Sequence, residues 1–163
     1  MTSQDDLFAE QRAERRSAAA PLAARMRPRS LDEVAGQQHL VGEGTAFRAL
    51  LDSGRPKSLI LWGPAGTGKT TLARLTAKAA RARFSELSAT AAGVKDVRAI
   101  LASARQRLED DLGRTVIFLD EIHRFNKAQE DALLPGVEVG TIILVGATTE
   151  YHFFEVNSPL ISR

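Results

Sequence analysis

Ser58-Leu-Ile-Leu-Trp-Gly-Pro-Ala-Gly-Thr-Gly-Lys-Thr70 is the stretch that decides the fold. Its opening residues form a short, continuously apolar run stopped by Gly63-Pro64, the pattern of a strand buried on both faces. The remainder, Gly63-Pro-Ala-Gly-Thr-Gly-Lys-Thr70, fits G-x-x-x-x-G-K-[ST] at every fixed position. Behind it, residues 70–83 read as a helix with Leu72, Leu75 and Ala79 on one face. Strand, glycine-rich turn and helix together make a phosphate-binding loop. The glycines let backbone N–H groups converge on the anion, and the helix start adds the positive end of its dipole. On this reading Gly63, Pro64, Ala65, Gly66, Thr67, Gly68, Lys69, Thr70 and Thr71 hold ATP, with Lys69 reaching the β- and γ-phosphates. The Thr70 hydroxyl ligates Mg2+.

Outward from that loop, strands and helices alternate. Phe84–Ser88 reads as a second strand, and Val94, Val97, Leu101, Ala104 and Leu108 mark a long amphipathic helix. Thr115–Leu119 is a third strand, residues 125–134 a helix, and Thr141–Val145 a fourth strand. Alternation of this kind implies right-handed crossovers and a mostly parallel sheet, so the fold class is α/β. Upstream, Ser30-Leu-Asp-Glu33 has capping-box spacing and predicts a helix starting at Ser30. A second helix is expected from Gln38 to Ser53, turning Phe47, Leu50 and Leu51 inward. Residues 1–20 are polar and Ala-rich and read as a mobile tail, leaving 21–163 as the folded unit.

Composition narrows the function classes. At 44% hydrophobic and 26% charged, the 163 residues suit a soluble globular domain. The absence of cysteine excludes disulfide scaffolds, thiolate zinc sites and thiol catalysis. No run approaches the 18 or so apolar residues of a membrane span. The acidic start, with Asp5, Asp6 and Glu10, lacks a signal-peptide apolar region, so the cytoplasm is the expected compartment. Net charge is only +2, and no linear basic run marks a nucleic-acid surface.

Val116-Ile-Phe-Leu-Asp-Glu121 is the natural partner of the phosphate loop. An apolar strand carries a carboxylate to its C-terminal edge, where α/β folds bind ligands. Asp120 holds the Mg2+, and Glu121, a carboxylate not spent on metal, serves as general base toward the attacking water. His123 admits a metal-ligand reading and a hydrogen-bonding one. With three histidines in the chain and none nearby, the second is preferred. Thr148 and Thr149 follow the fourth strand, where a hydroxyl meets the γ-phosphate or the water.

The whole set resembles an AAA+ ATPase of the P-loop NTPase class: Gly63–Thr70, Asp120-Glu121, Thr149 as sensor 1 and Ser162-Arg163 in the place of an arginine finger. Within that superfamily the chain is similar to the replication-associated recombination protein A (RarA) family and its Werner-helicase-interacting relatives. The stretches that carry the likeness include Pro21-Leu-Ala-Ala-Arg-Met-Arg-Pro28, Asp120-Glu-Ile-His-Arg-Phe-Asn-Lys-Ala-Gln129 and Phe154-Glu-Val-Asn-Ser158. The resemblance implies an adenine-packing box at Arg27-Pro28 and Val34–Gln37. It also implies that Ser88 restrains the catalytic Glu, and that Glu121, Thr149 and Arg163 form the catalytic set. It further implies DNA at stalled forks as the substrate, DNA-stimulated ATP hydrolysis, single-strand-binding protein as a partner, and a homo-oligomer. The chain departs from the family at Glu150-Tyr-His152, where Glu-Asn-Pro is usual. Family members continue with a fifth strand beside residues 58–62, a helical lid and an oligomerisation domain. The expectation is therefore an incomplete core that is poorly active alone, with 58–62 at a sheet edge. Two alternatives stay open: a RuvB-like branch-migration motor, and a nucleotide-binding fragment without turnover.

Overall fold

Two runs have no polar residue on either face, Val116-Ile-Phe-Leu119 and Ile142-Ile-Leu-Val145, and they become the centre of the molecule. The computed structural model describes residue 22, residues 26–34 and residues 42–150. Within it β1 (Leu59–Trp62), β2 (Arg83–Ser88), β3 (Thr115–Asp120) and β4 (Ile142–Thr148) form one parallel sheet in the order β1-β4-β3-β2. Four helices cover it: α1 (Ala46–Asp52), α2 (Lys69–Ala79), α3 (Val94–Glu109) and α4 (Lys127–Glu138). Alternate residues of the central strands feed opposite cores. Ile117, Leu119, Ile142 and Leu144 meet Val97 and Ala104 of α3 and Leu133 and Val137 of α4. Val116, Phe118, Ile143, Val145 and Ala147 meet Leu72, Ala73 and Ala77 of α2. The expected α/β class and parallel sheet are both present.

Several sequence expectations change in detail. β1 is not buried on both faces. It is, as expected, an edge of the described sheet, but with Leu61 buried, Leu59 and Ile60 half-buried and Trp62 56% exposed. The turn after Ser30 is a single 3-10 turn, Leu31–Glu33, and the Glu33 carboxylate accepts from the N–H of Arg29 instead of closing a box on Ser30. The helix expected from Gln38 is α1 from Ala46; residues 35–41 lie outside the described set. Gly44, at φ 81°, turns the chain, and the Thr45 Oγ1 then caps α1 by accepting from the N–H of Arg48. α2 ends at Ala79, not Arg83, because Arg81 takes a left-handed φ of 51° that turns the chain so that Arg83 pairs with Thr115.

The largest difference lies in α4. Pro135-Gly136 marks an expected helix end, yet the helix runs on to Glu138. Proline removes one N–H bond and glycine weakens a helix, so packing must hold this turn. Leu133 and Val137 are buried on either side of it. At Gly136 a Cβ would overlap the Leu101 side chain of α3. Gly136 is therefore a point of close packing between the two helices, not a break. At its start α4 is closed by a reciprocal box: Asn126 Oδ1 accepts from the N–H of Gln129 at 2.9 Å, and Gln129 Oε1 from that of Asn126 at 2.8 Å. The expected tail and the segment 151–163 lie outside the described residues.

Candidate nucleotide site

The C-terminal ends of all four strands line one edge of the sheet, the edge at which open α/β folds take ligands. The phosphate loop follows β1, Ser88 ends β2, Asp120 ends β3 and Thr148 ends β4. Neighbouring ends are fastened to each other. The N–H of Gly63 donates to Thr148 O at 3.1 Å, and that of Ala89 donates to Asp120 O at 3.1 Å.

Two glycines shape the loop. Gly66 and Gly68 have φ of 78° and 88°, in the left-handed region that glycine occupies without a Cβ clash. Gly68 caps α2 with no side chain of its own, so the first N–H groups of the helix keep their capacity for an anion. The Thr67 Oγ1 donates to Pro64 O at 2.8 Å and braces the curl. Lys69 Nζ reaches back across the loop and donates to Gly63 O at 2.6 Å and Pro64 O at 2.7 Å. Burial holds the ammonium below the usual lysine pKa, and the charge of Asp120 opposes that shift. A half-buried cation hydrogen-bonded to neutral carbonyls gains when a phosphate oxygen replaces them.

Asp120 spends Oδ1 on the N–H of Glu121 at 3.0 Å, and its carboxylate keeps further lone pairs for a cation. Thr70, half-buried at the start of α2, carries a hydroxyl oxygen that could serve as a second donor. Among the described residues no three His, Cys, Asp or Glu side chains cluster as a metal cage. Hard oxygens, few in number and beside a phosphate loop, fit Mg2+, which keeps waters and phosphate oxygens in its shell. Glu121 is half-buried and adopts φ 54°, ψ 44°. A 3-10 turn, Ile122–Arg124, follows it immediately.

The profile of the ATPase family associated with various cellular activities (AAA) matches residues 59–163. The chain belongs to the AAA family. Replication-associated recombination protein A of Haemophilus influenzae is 50% identical over 144 residues, covering 88% of this chain and 32% of that protein. ATPase WRNIP1 of Dictyostelium discoideum is 45% identical over 144 residues, covering 88% of this chain and 16% of that protein. The resemblance to RarA drawn from the motifs thus holds across the sequence, and the chain spans about a third of the H. influenzae relative. Among solved structures, the Thermotoga maritima RuvB Holliday junction branch migration motor superposes with a TM-score of 0.67 at 37% identity, over 85% of this chain and 46% of that one.

In this AAA chain the fold brings Gly63–Thr71, Ser88, Asp120, Glu121 and the pair Thr148-Thr149 to one edge. The two threonines differ sharply: Thr148 is buried at 1% exposure, whereas Thr149 is exposed. Ser88 Oγ is hydrogen-bonded to Thr90 Oγ1 at 2.8 Å. Arg27 and Pro28 are half-buried, and the carbonyl two residues on from Arg27, that of Arg29, accepts from Lys78 Nζ at 2.7 Å at the far end of α2. Arg163, Tyr151, His152 and the Phe154–Ser158 run lie outside the described residues. His123 takes the hydrogen-bonding role expected of it, with Nδ1 2.9 Å from Thr148 Oγ1. Sequence reading missed Gln129, a buried side chain whose amide donates to Ala92 O in the loop before α3. Its signal was present: Asn126-x-x-Gln129 has capping-box spacing.

Among the described residues no helix is long and apolar enough to cross a membrane.

Proposed function

We propose that this AAA chain, over residues 21–163, is the ATP-hydrolysing core of a cytoplasmic replication and recombination factor that acts on DNA at stalled forks. The observation that carries the reading is the meeting of the phosphate loop and Asp120-Glu121 at one sheet edge, where β4 lies between β1 and β3 and the N–H of Gly63 is fastened to Thr148 O. The names of the relatives, at about 50% identity in RarA, support the biological setting. Lys69 and the loop N–H groups bind and orient the triphosphate. Thr70 and Asp120 would hold Mg2+, which would supply neutralisation of the phosphate charge. Glu121 accepts the proton of the attacking water, Thr149 senses the γ-phosphate, and Arg27-Pro28 packs on the adenine. Arg163 acts in the site of a neighbouring subunit. Turnover therefore depends on a homo-oligomer, and this chain as a dilute monomer lacks a contribution of about 10³–10⁵ in rate. DNA stimulates the assembled enzyme, and single-strand-binding protein is its partner at the fork.

The test is steady-state ATP turnover by the complete polypeptide, with and without forked or gapped DNA. Stimulation by such DNA is expected. Lys69→Ala weakens ATP binding about 10- to 100-fold by removing charge-assisted contacts. Equal ATP affinity of wild type and Lys69→Ala refutes the loop assignment. Turnover indifferent to every DNA refutes the DNA-coupled reading. Migration of a four-way junction without any fork preference favours the RuvB-like alternative, to which the structural likeness also points.

A further inference from the structure

Glu121 stands in a backbone conformation that a residue with a side chain rarely adopts. The other described non-glycine residues with positive φ, Arg81 and Asp111, precede β2 and β3 at the opposite end of the sheet. Something must hold Glu121 there, and the structure shows two fasteners on the next two residues. Ile122 is fully buried over Gly146 of β4, so close that a Cβ at that glycine would stand 2.7 Å from Ile122 Cδ1. His123 Nδ1 is hydrogen-bonded to Thr148 Oγ1 at 2.9 Å. Gly146 and Thr148 are two apart on one strand and so share a face. The 3-10 turn that carries Glu121 is thus clamped to β4 by an apolar contact and a polar one. The turn is closed on itself as well, since the N–H of Arg124 donates to Glu121 O at 2.9 Å.

Thr148 is more than an anchor for His123. Its Oγ1 also accepts from the N–H of Glu150 at 3.0 Å, and its carbonyl accepts from the first N–H of the phosphate loop. One buried threonine therefore touches the turn of Glu121, the loop carrying Thr149 and the loop that holds phosphate. We propose that His123 is a positioning residue. Through Thr148 it sets the Glu121 carboxylate in register with the phosphate loop and the Thr149 loop, so that nucleotide binding and water activation share one geometry. The proposal rests on the reading of Glu121 as general base.

The experiment uses the complete polypeptide and separates ATP affinity, by calorimetry, from kcat for ATP turnover. The variants are His123→Ala, Thr148→Val (similar shape, no hydroxyl), the double variant, and the conservative pair His123→Asn and Thr148→Ser. Misplacing a catalytic group by about 1 Å costs on the order of 100-fold. The expected result is therefore a fall in kcat of about 10- to 100-fold in each disruptive single variant, with ATP affinity within about threefold of wild type. The double variant is expected to be no worse than the worse single, because both remove one link. Asn at 123, with a polar atom near the position of Nδ1, and Ser at 148 are expected to recover most of kcat. A kcat within twofold of wild type in Thr148→Val and His123→Ala, with Glu121→Gln inactive, overturns the positioning role and leaves the base assignment standing. Persistent turnover in Glu121→Gln overturns the base assignment itself. Loss of ATP binding in parallel with kcat identifies a merely structural contact and overturns the proposal. Should His123→Ala fail to fold, the comparison of Thr148→Val with Thr148→Ser decides.

Discussion

Two turns leave the same edge of the sheet, and they solve opposite problems. The phosphate loop after β1 presents backbone N–H groups, needs no side chain at its tightest points, and places glycine there, with Gly66 and Gly68 in the left-handed region. On the proposed function, the turn after β3 presents a carboxylate. Glycine is not available to it, so Glu121 takes the left-handed conformation with its side chain in place. Such a conformation costs about 1–3 kcal/mol and persists only where surrounding structure over-determines it. Here Ile122 over Gly146, His123 on Thr148 and the Asn126–Gln129 box supply that determination within the eight residues after Glu121. A site built from backbone can be flexible in sequence and glycine-rich. A site built from one side chain needs packing behind it.

The comparison can be broken in order of effect. Glu121→Gln keeps the turn and its shape but cannot take the proton of water; turnover is expected to fall about 10²–10⁴-fold while ATP still binds. Calorimetry beside a steady-state assay measures both halves, and unchanged turnover would remove the chemical reason for a strained glutamate. Next is Gly146→Ala, which forces Ile122 off its seat. Overpacking of this kind costs about 1–3 kcal/mol, readable by urea denaturation, and turnover should fall with it. A neutral Gly146→Ala would mean that the clamp is slack.

Gly68→Ala isolates the other turn. An added Cβ meets nothing within 4 Å, so the cost is conformational alone, about 1–2 kcal/mol. A fall in urea midpoint without a change in slope is the expected signature. Glu121→Gly sharpens the contrast from the opposite side. It relieves the strained φ at the expense of unfolded-chain entropy, so stability should rise by about 1 kcal/mol or less while turnover is lost. A destabilised Glu121→Gly would show that the side chain, and not the turn around it, holds the conformation.

The smallest effect concerns pH. Burial lowers the pKa of Lys69 in the folded, nucleotide-free protein, so above that lowered value the unfolded chain binds the proton more tightly. Stability therefore gains from Lys69 as pH rises from the lowered value toward the usual 10.5, and this gain is absent below it. Lys69→Met should flatten that part of the profile when denaturation is followed at several alkaline pH values without nucleotide.

What the sequence made legible was whatever has a local signature. The fixed positions of Gly63–Thr70, the apolar run before Asp120 and the spacing of Val97 and Ala104 each announce one element, and those elements stand where expected. What stayed hidden depends on residues far apart in the chain. Gly136 reads as a helix breaker until Leu101 of the neighbouring helix is seen lying on it. β4 runs three residues past Val145 through Gly146-Ala147-Thr148, small residues with no strand signal of their own. Their smallness answers to Ile122. For the same reason the split between buried Thr148 and exposed Thr149 was not readable: both are threonines, and only the strand's true end separates them.

The pairing of Leu59 with Val145 has a consequence for how the chain comes into being. Ser58, whose Oγ accepts from the N–H of Leu144, is separated from it by 86 residues. At a synthesis rate of about 5–20 residues per second, the two emerge from the ribosome roughly 4–17 s apart. During that interval Leu59-Ile-Leu-Trp62 lacks β4, its neighbour in the described sheet. The first N–H of the phosphate loop likewise waits for Thr148. The edge that gathers the four described strand ends therefore forms only after β4 has been made.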